Sequence, residues 1–429
     1  MQKLNVSLRI TDTSTNQPTP VRLRITDSVG GLCPPLGRLP IFATARGVDV
    51  GGHLRLGEAS WCYIDGACEV PLPGSEQILL EATKGPEYTT VKEAMTLGAG
   101  QMALRQSISR WIDMRSEGWY SGDTRCHFIQ PHATLLEGRA EDLSVVNLLA
   151  SEEAATELQN SSGEAVGVLS TISNLLAFSG QHPCLAMPDC IVAVNSFDKH
   201  LVLGKLALLH CHRIVFPLNF GDPFGTDDWS LSDWCDQCHR KKGLVVWCEP
   251  FAPDPGFAPE ALADLILSRV DAVEITPETG LLNELYDWWS AGIRAPIVGA
   301  SGKDSNAIAL GAVRTYAKIE PPAPLTYTNW IEAVRTGNTF VTSGPILEFA
   351  VDGQPPGTAL NRDMTAAPLK LRASVRSATL PGPLEILDGG EVIARTDQFG
   401  SGPIYSATLE REYPAATSTW IAARCVALP

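Results

Sequence analysis

The chain has 429 residues, with 33 basic against 48 acidic side chains, a net charge of −15 and a pI near 5.0. That balance argues against a nucleic-acid partner, because binding to a phosphate backbone runs on basic patches. No apolar run approaches the ~20 residues that cross a bilayer, so no membrane partner is expected either.

The length exceeds one ordinary core and predicts two or three domains. Eleven cysteines, an odd number in so long a chain, read as reduced thiols rather than a disulfide framework. No apolar leader follows Met1, so the expected location is cytoplasmic, with an extracytoplasmic one left open if a leader has been removed.

Residues 1–112 alternate apolar and polar side chains in short runs, Leu4–Ile10 and Val21–Ile25 among them. Turns at Asp65-Gly66 and Leu72-Pro-Gly74 separate such runs, which predicts a small β-sandwich. Over 113–344 the pattern changes. Ser144–Ala150, Ile191–Val194, Gly243–Cys248 and Ala295–Gly299 read as buried strands. Leu231–His239 and Pro259–Ser268 have helical spacing, and a charged helix is expected to begin at Glu152-Glu153. Such alternation predicts a β/α domain, barrel or open sheet, with its site at the carboxyl ends of the strands. From 345 to 429 strand signals return at Leu347–Val351, Leu369–Ala373 and Trp420–Arg424, predicting a second small β-sandwich.

One set of segments is specific as a group: Tyr63–Gly66 with Gly85–Tyr88, Gly122-Asp-Thr124, Asn147–Ser151, Leu203-Gly204, Gly243–Val246, Gly311–Tyr316 and Ile331–Pro345. With them the chain resembles the CehA/McbA-type metallohydrolases, a branch of the PHP-like superfamily, over roughly residues 55–360. The resemblance implies a PHP-like β/α barrel flanked by the two β-sandwiches, an α/β fold overall. It also implies where metal ligands would stand. The family's His-x-His falls on Arg125-Cys126-His127, leaving only His127. A Glu falls near Phe197, and the His of a Leu-Gly-His turn falls on Lys205. The His closing the Gly-Leu-Val-Val strand falls on Glu249. The Asp of a Gly-Thr/Ser-Asp motif falls on Gly302, with Asp304 two residues on. A guanidinium cannot deprotonate to become a ligand, so no metal and no other cofactor is expected.

The replacements carry chemistry of their own. Arg125, Lys205, Glu249, Lys303 and Asp304 are expected to converge with His127 at one barrel mouth. Such a cluster suits acid/base or amine chemistry without a metal, with His127 as acid/base, Lys205 or Lys303 as charge stabiliser or amine, and Glu249 or Asp304 as the second carboxylate. Arg125, Asp123, Ser301 and Glu152 are the candidate ligand-binding residues, and Gly299–Asn306 has a phosphate-cradling look. The bland alternative is an ion-pair network filling a vacated cavity.

Other constellations are weighed the same way. Cys235-Asp-Gln-Cys-His239 matches haem c attachment, but it lies within an amphipathic helix, where packing accounts for it. His210-Cys-His212 has metal-like spacing on a strand, or else is a polar strand end. His132 and His182 are lone residues in Pro-containing loops. Trp229, Trp234, Trp288 and Trp289 suit stacking on sugars or packing of helices.

The function expected is that of a PHP-like hydrolase-superfamily protein acting without the usual metal on a small anionic or carbohydrate-like molecule. The alternatives are a non-catalytic pseudoenzyme that binds a small anion, glycan or protein, and a residual metal-dependent hydrolase of ester, amide or phosphoester bonds using His127, Asp304, Glu249 and Asp123. A homo-oligomer is left open.

Overall fold

The computed structural model describes residues 3–47, 51–98, 100–152, 156–159, 165–169, 171–221, 229–250, 260–277, 282–294, 296–363, 367–400, 402–414 and 417–425, the side chains of 156–169 excepted. In Lys3–Asp12 every second residue is apolar, so Val6, Leu8 and Ile10 bury while Asn5, Ser7 and Arg9 face water. This strand pairs with Ala67–Pro73 and Ala103–Ile108. A second sheet runs His53–Leu56, Ala59–Ile64, Val21–Thr26, Gln77–Thr83, Val91–Thr96. The inward residues of both sheets form one core, with Leu8 and Ile10 in the same cluster as Leu23, Ile25 and Leu80. At the other end of the chain, two three-stranded sheets built around Leu369–Ser377 and Leu384–Asp388 share a core of Leu371, Val375, Leu384 and Ile386.

Between them a twelve-stranded sheet curls into a nearly closed barrel. Its main path runs Ile297–Gly299, Ala272–Ile275, Leu244–Cys248, Gly204–Leu209, Cys190–His200, Val145–Glu152, Trp119–Cys126, Arg314–Lys318, Thr339–Thr342. The two ends close where Thr339 Oγ1 donates to Ile297 O at 2.9 Å, and side chains of the neighbouring strands converge on Gly299. The Thr124 and Thr315 hydroxyls donate to its carbonyl oxygen at 3.1 and 3.2 Å, and its amide donates to Thr315 Oγ1 at 2.7 Å. A Cβ at Gly299 would stand 2.7 Å from the Arg314 carbonyl carbon, so only glycine permits the approach.

The interior is apolar around a polar layer. Tyr327 OH donates to Asn147 Oδ1 at 2.6 Å and accepts from Asn195 Nδ2 at 2.8 Å, and Asn195 Oδ1 takes the His210 amide at 2.7 Å. Tyr327 begins the helix Tyr327–Thr336, capped by Thr326 and stopped by Gly337 in the left-handed region. Its Trp330 closes the amino end of the barrel. Trp330 Nε1 donates to Tyr120 O at 3.0 Å, and its ring fills the space that a Cβ on Gly122 would take. Outside the barrel, the helix Leu231–Arg240 starts on a Ser230/Asp233 capping box and buries Leu231, Trp234, Cys235 and Cys238 on the sheet.

The chain holds more strand and less helix than the sequence pattern suggests. Among the described residues after Glu152 the expected charged helix is not seen: Thr156–Gln159 and Ala165–Leu169 pair as an antiparallel hairpin. The β-branched Thr156, Val166 and Val168 favour strand over helix. Glu153, Pro259 and Ala295 lie outside the described residues. Among the described residues no helix is long and apolar enough to cross a membrane, and no cysteine is in a disulfide.

A charged seam joins the N-terminal sheets to the barrel. Arg110 donates to both oxygens of Asp142 at 2.8 Å, to Glu87 at 2.6 Å and to Tyr88 OH at 2.9 Å. Arg115 adds a 3.1 Å contact to Asp142, Tyr88 OH donates to Asp12 at 2.6 Å, and Tyr316 OH donates to Glu87 at 2.8 Å. Glu87 and Asp142 are only 1% and 3% exposed.

Candidate functional site

Strand direction decides which residues reach the mouth. Trp119–Cys126, Val145–Glu152, Cys190–His200, Leu244–Cys248, Ala272–Ile275 and Ile297–Gly299 all run one way, and Gly204–Leu209 runs against its neighbours. The carboxyl ends of the first group and the amino end of the last therefore share one rim. In register, Lys205 stands opposite Lys199 on one side and Cys248 on the other.

At this rim the Arg125 guanidinium is the centre. Its Nε and Nη2 donate to the two oxygens of Glu274, both at 2.8 Å. Its Nη1 pairs with Glu249 Oε1 at 3.1 Å and faces His127 Nε2 at 3.4 Å. The Phe197 ring lies beneath, 5.5 Å from the guanidinium carbon and 4.7 Å from the His127 ring. Lys205 bonds the other oxygen of Glu249. Burial falls off outward: Glu274 is 0% exposed and Arg125 6%, whereas Glu249 is 31% and Lys205 42% exposed. Glu249, just past the strand end, has a φ of 51°, a left-handed conformation that a non-glycine residue adopts at a cost.

The electrostatics follow. Burial, then the Arg125 charge beside it, holds His127 well below the usual imidazole range, so the ring is neutral. The four charges that act most on it are all positive: Arg125, Lys199, Arg46 and Lys205. Burial pushes Glu249 up, but Arg125 and Lys205 outweigh it and keep the carboxyl below its ordinary value. Burial and Glu274 raise the Cys248 thiol far above its usual range, so no thiolate is available there.

Of the residues expected at the mouth, the structure brings together Arg125, His127, Lys205 and Glu249. Lys303 is turned away. Its backbone carbonyl takes the His127 amide at 2.7 Å, which sends the side chain outward to Ser305 O at 2.8 Å, Ile308 O at 3.1 Å and Glu137 at 3.6 Å, fully buried. Asp304 sits on the rim paired to Arg46 at 3.1 Å rather than in the cluster. Asp123 is wholly buried and accepts the amides of Arg125, Ser301 and Gly311 at 3.1, 3.0 and 2.8 Å. Burial raises its pKa against those bonds, and its work is to pin the 301–311 loop.

The Ser301 hydroxyl accepts the Lys303 amide at 3.1 Å, so the apparent phosphate cradle is filled from within. Glu152 ends its strand half-buried and pairs in register with Ile172. The sequence reading missed Glu274, the carboxylate that holds Arg125. Its signal was a lone acid among Ala272, Val273 and Ile275 at a strand's carboxyl end. It also missed Arg46 and Lys199.

The other motifs resolve into packing. Cys235 and Cys238 point into the core and His239 bonds Asp271 at 3.0 Å, which leaves no surface for a haem. His210 bonds Thr328 at 3.0 Å, while His212 is turned to the Lys241 carbonyl at 3.0 Å. His132 and His182 are exposed. Trp288 stacks on Trp247, and Trp289 meets Trp420 edge-on.

A divalent metal does not fit this donor set. Among the described residues no three His, Cys, Asp or Glu side chains are grouped to hold one. The mouth carboxylates and imidazole are turned on a guanidinium that supplies the positive charge itself.

No protein-family profile and no curated protein matches the sequence. Among solved structures, the chain is similar to a two-domain protein containing a predicted PHP-like metal-dependent phosphoesterase from Bacteroides vulgatus, at 11% identity and a TM-score of 0.37 over 72% of this chain and 87% of that one. It is also similar to PsfC from Pseudomonas syringae, at 10% identity and a TM-score of 0.33 over 50% of this chain and 88% of that one. Likenesses this distant carry nothing about substrate, metal or mechanism to this chain.

Proposed function

We propose that this chain is a divergent relative of the PHP-like hydrolases, of the CehA/McbA type, in which the barrel mouth binds a small molecule through an anionic group without a metal. The two flanking pairs of sheets are read as β-sandwich domains, with boundaries near residues 112 and 344. The observation that carries the reading is the Arg125 guanidinium held by Glu274 and Glu249, with the Lys205–Glu249 pair open to solvent above it. A fixed cation with a solvent-facing ion pair can exchange the protein's carboxylate for one from a ligand. The positive potential at His127, in a chain of net charge −15, supports the same direction.

Binding is favoured over turnover because the expected catalytic set is dispersed. Lys303 and Asp304 engage other partners, and His127 is enclosed. A second reading, metal-free acid/base chemistry by Glu249 and Lys205, is favoured by one observation, the left-handed backbone of Glu249 at the rim.

The test is elemental analysis of the purified protein before and after chelator, followed by titration with inorganic phosphate and with citrate at low ionic strength. The expected result is no stoichiometric zinc, manganese or iron, and saturable binding that Lys205→Ala weakens. Stoichiometric metal that the chelator removes would overturn the reading. Hydrolysis of an ester or phosphoester by the metal-free protein, lost in Glu249→Gln, would replace it with the second.

A further inference from the structure

Arg46 belongs to the long connection between Val21–Thr26 and His53–Leu56 of the N-terminal sheets, yet it stands at the rim of the barrel. The segment that carries it is laid along the loop after the last barrel strand of the parallel set. Asn306 Nδ2 donates to Ala43 O at 2.8 Å, the Gly47 amide donates to Asp304 O at 3.0 Å, and the Arg55 amide donates to Asn306 O at 2.8 Å. Arg46 Nε is 3.1 Å from Asp304 Oδ2. Two residues earlier, Gly302 lies so close over Arg125 that a Cβ would come within 3.2 Å of Nη2. Arg46 is thus one short loop away from the mouth cation, and its charge reaches both His127 and Glu249.

Stability does not account for this arrangement. The Arg46 side chain is 66% exposed, and a pair so exposed to solvent adds little to stability. A guanidinium presents five donors in a planar fork matched to carboxylate and phosphate, and here one carboxylate engages it from one side. The fork is largely exposed, and its charge is felt at Glu249, the carboxylate of a second exposed pair, Lys205–Glu249.

Resting on the reading of the mouth as an anion site, we infer that the site is composite: the N-terminal region supplies Arg46 as its second cation, which holds the ligand's phosphate or carboxylate together with Lys205. Asp304 holds the Arg46 fork in place and gives it up in part when the ligand arrives, as Glu249 gives up Lys205. The N-terminal sheets are then part of the binding machinery, and the seam at Arg110 keeps them in register with the barrel.

The full chain and its variants Arg46→Ala, Arg46→Lys, Lys205→Ala and Arg9→Ala are titrated calorimetrically with inorganic phosphate and, separately, citrate at low ionic strength. Arg9 is an exposed cation of the first strand and controls for loss of one positive charge. Arg46→Ala is expected to raise Kd about five- to tenfold, Arg46→Lys less, and Arg9→Ala not at all. The probe that responds tells phosphate from carboxylate. Binding unchanged in Arg46→Ala but weakened in Lys205→Ala overturns the composite site and leaves the mouth reading standing. An equal loss in Arg9→Ala also overturns it, since the effect is then general charge. Failure of both probes to bind the unaltered chain overturns both readings.

Discussion

Two clusters of buried charge use the same residues to different ends. In the seam, Arg110 is surrounded by Glu87, Asp142 and Tyr88, and each carboxylate is closed off by a further donor: Tyr316 and Met114 on Glu87, Arg115 on Asp142. At the mouth, Arg125 is equally well held by Glu274, but the network continues outward to Glu249 and Lys205, which water reaches. A network closed on every side can only hold parts together. One with an open end can exchange a partner, which is what the proposed anion site requires.

The largest effect expected is at the seam. Arg110→Met leaves two nearly inaccessible carboxylates without their shared cation and should destabilise the protein by about 3–5 kcal/mol in urea unfolding. Arg125→Met strands one such carboxylate, Glu274, while Glu249 can turn to water, so about 2–4 kcal/mol is expected. A loss at Arg125 as large as at Arg110 would erase the distinction between the two clusters.

Protonation separates the clusters by sign. Burial, then the nearby Asp142 charge, raises Glu87 to about 7 against Arg110 and its hydrogen bonds. The folded state therefore binds this proton more tightly than the unfolded chain, and the Glu87 contribution falls as pH rises from the ordinary carboxyl range to about 7. His127 works the other way. Its folded pKa is depressed, so its contribution is present above the ordinary imidazole value and is lost as pH falls below it. Urea midpoints between pH 5 and 8 should then rise with pH in Glu87→Gln and fall with pH in His127→Asn, by up to ~1.4 kcal/mol per pH unit each. Parallel curves for the two variants would show that these groups do not titrate on folding.

The smallest effect on stability is expected at the open end. Lys205→Ala should cost about 0–1 kcal/mol, because the pair it breaks is largely solvated. The same substitution should weaken phosphate or citrate binding measurably, and a stability loss without a binding loss would assign the pair to structure.

Much of the scaffold was legible from local rules. The alternation of Val6, Leu8 and Ile10, the unbroken run Leu244–Cys248 and the helical spacing of Leu231–Arg240 each report burial at a period belonging to one element. The hairpin after Glu152 was not legible, because charged residues spaced along a short stretch suit an exposed helix as well as an edge hairpin until the neighbouring strands are in place. At the site, Arg125, Lys205 and Glu249 were singled out by the family resemblance, and the structure has each at or just past a strand end. Lys303 misled because its neighbour Asp304 does stand at the rim, while the backbone pairing of Lys303 with His127 leaves the lysine side chain on the other side.

By itself the sequence determined many of the strands and helices, though not the hairpin after Glu152, and that charged residues stand at several strand ends. Those are properties of neighbouring residues and of side-chain chemistry. Only the tertiary structure decided that Glu274 would hold Arg125, that Lys303 would be removed to Glu137, and that Arg46, 79 residues before Arg125, would pair with Asp304 at the rim. These depend on sheet order, on barrel closure at Gly299 and on the docking of the N-terminal sheets, where contacts between residues far apart in the chain set the direction in which each charge points.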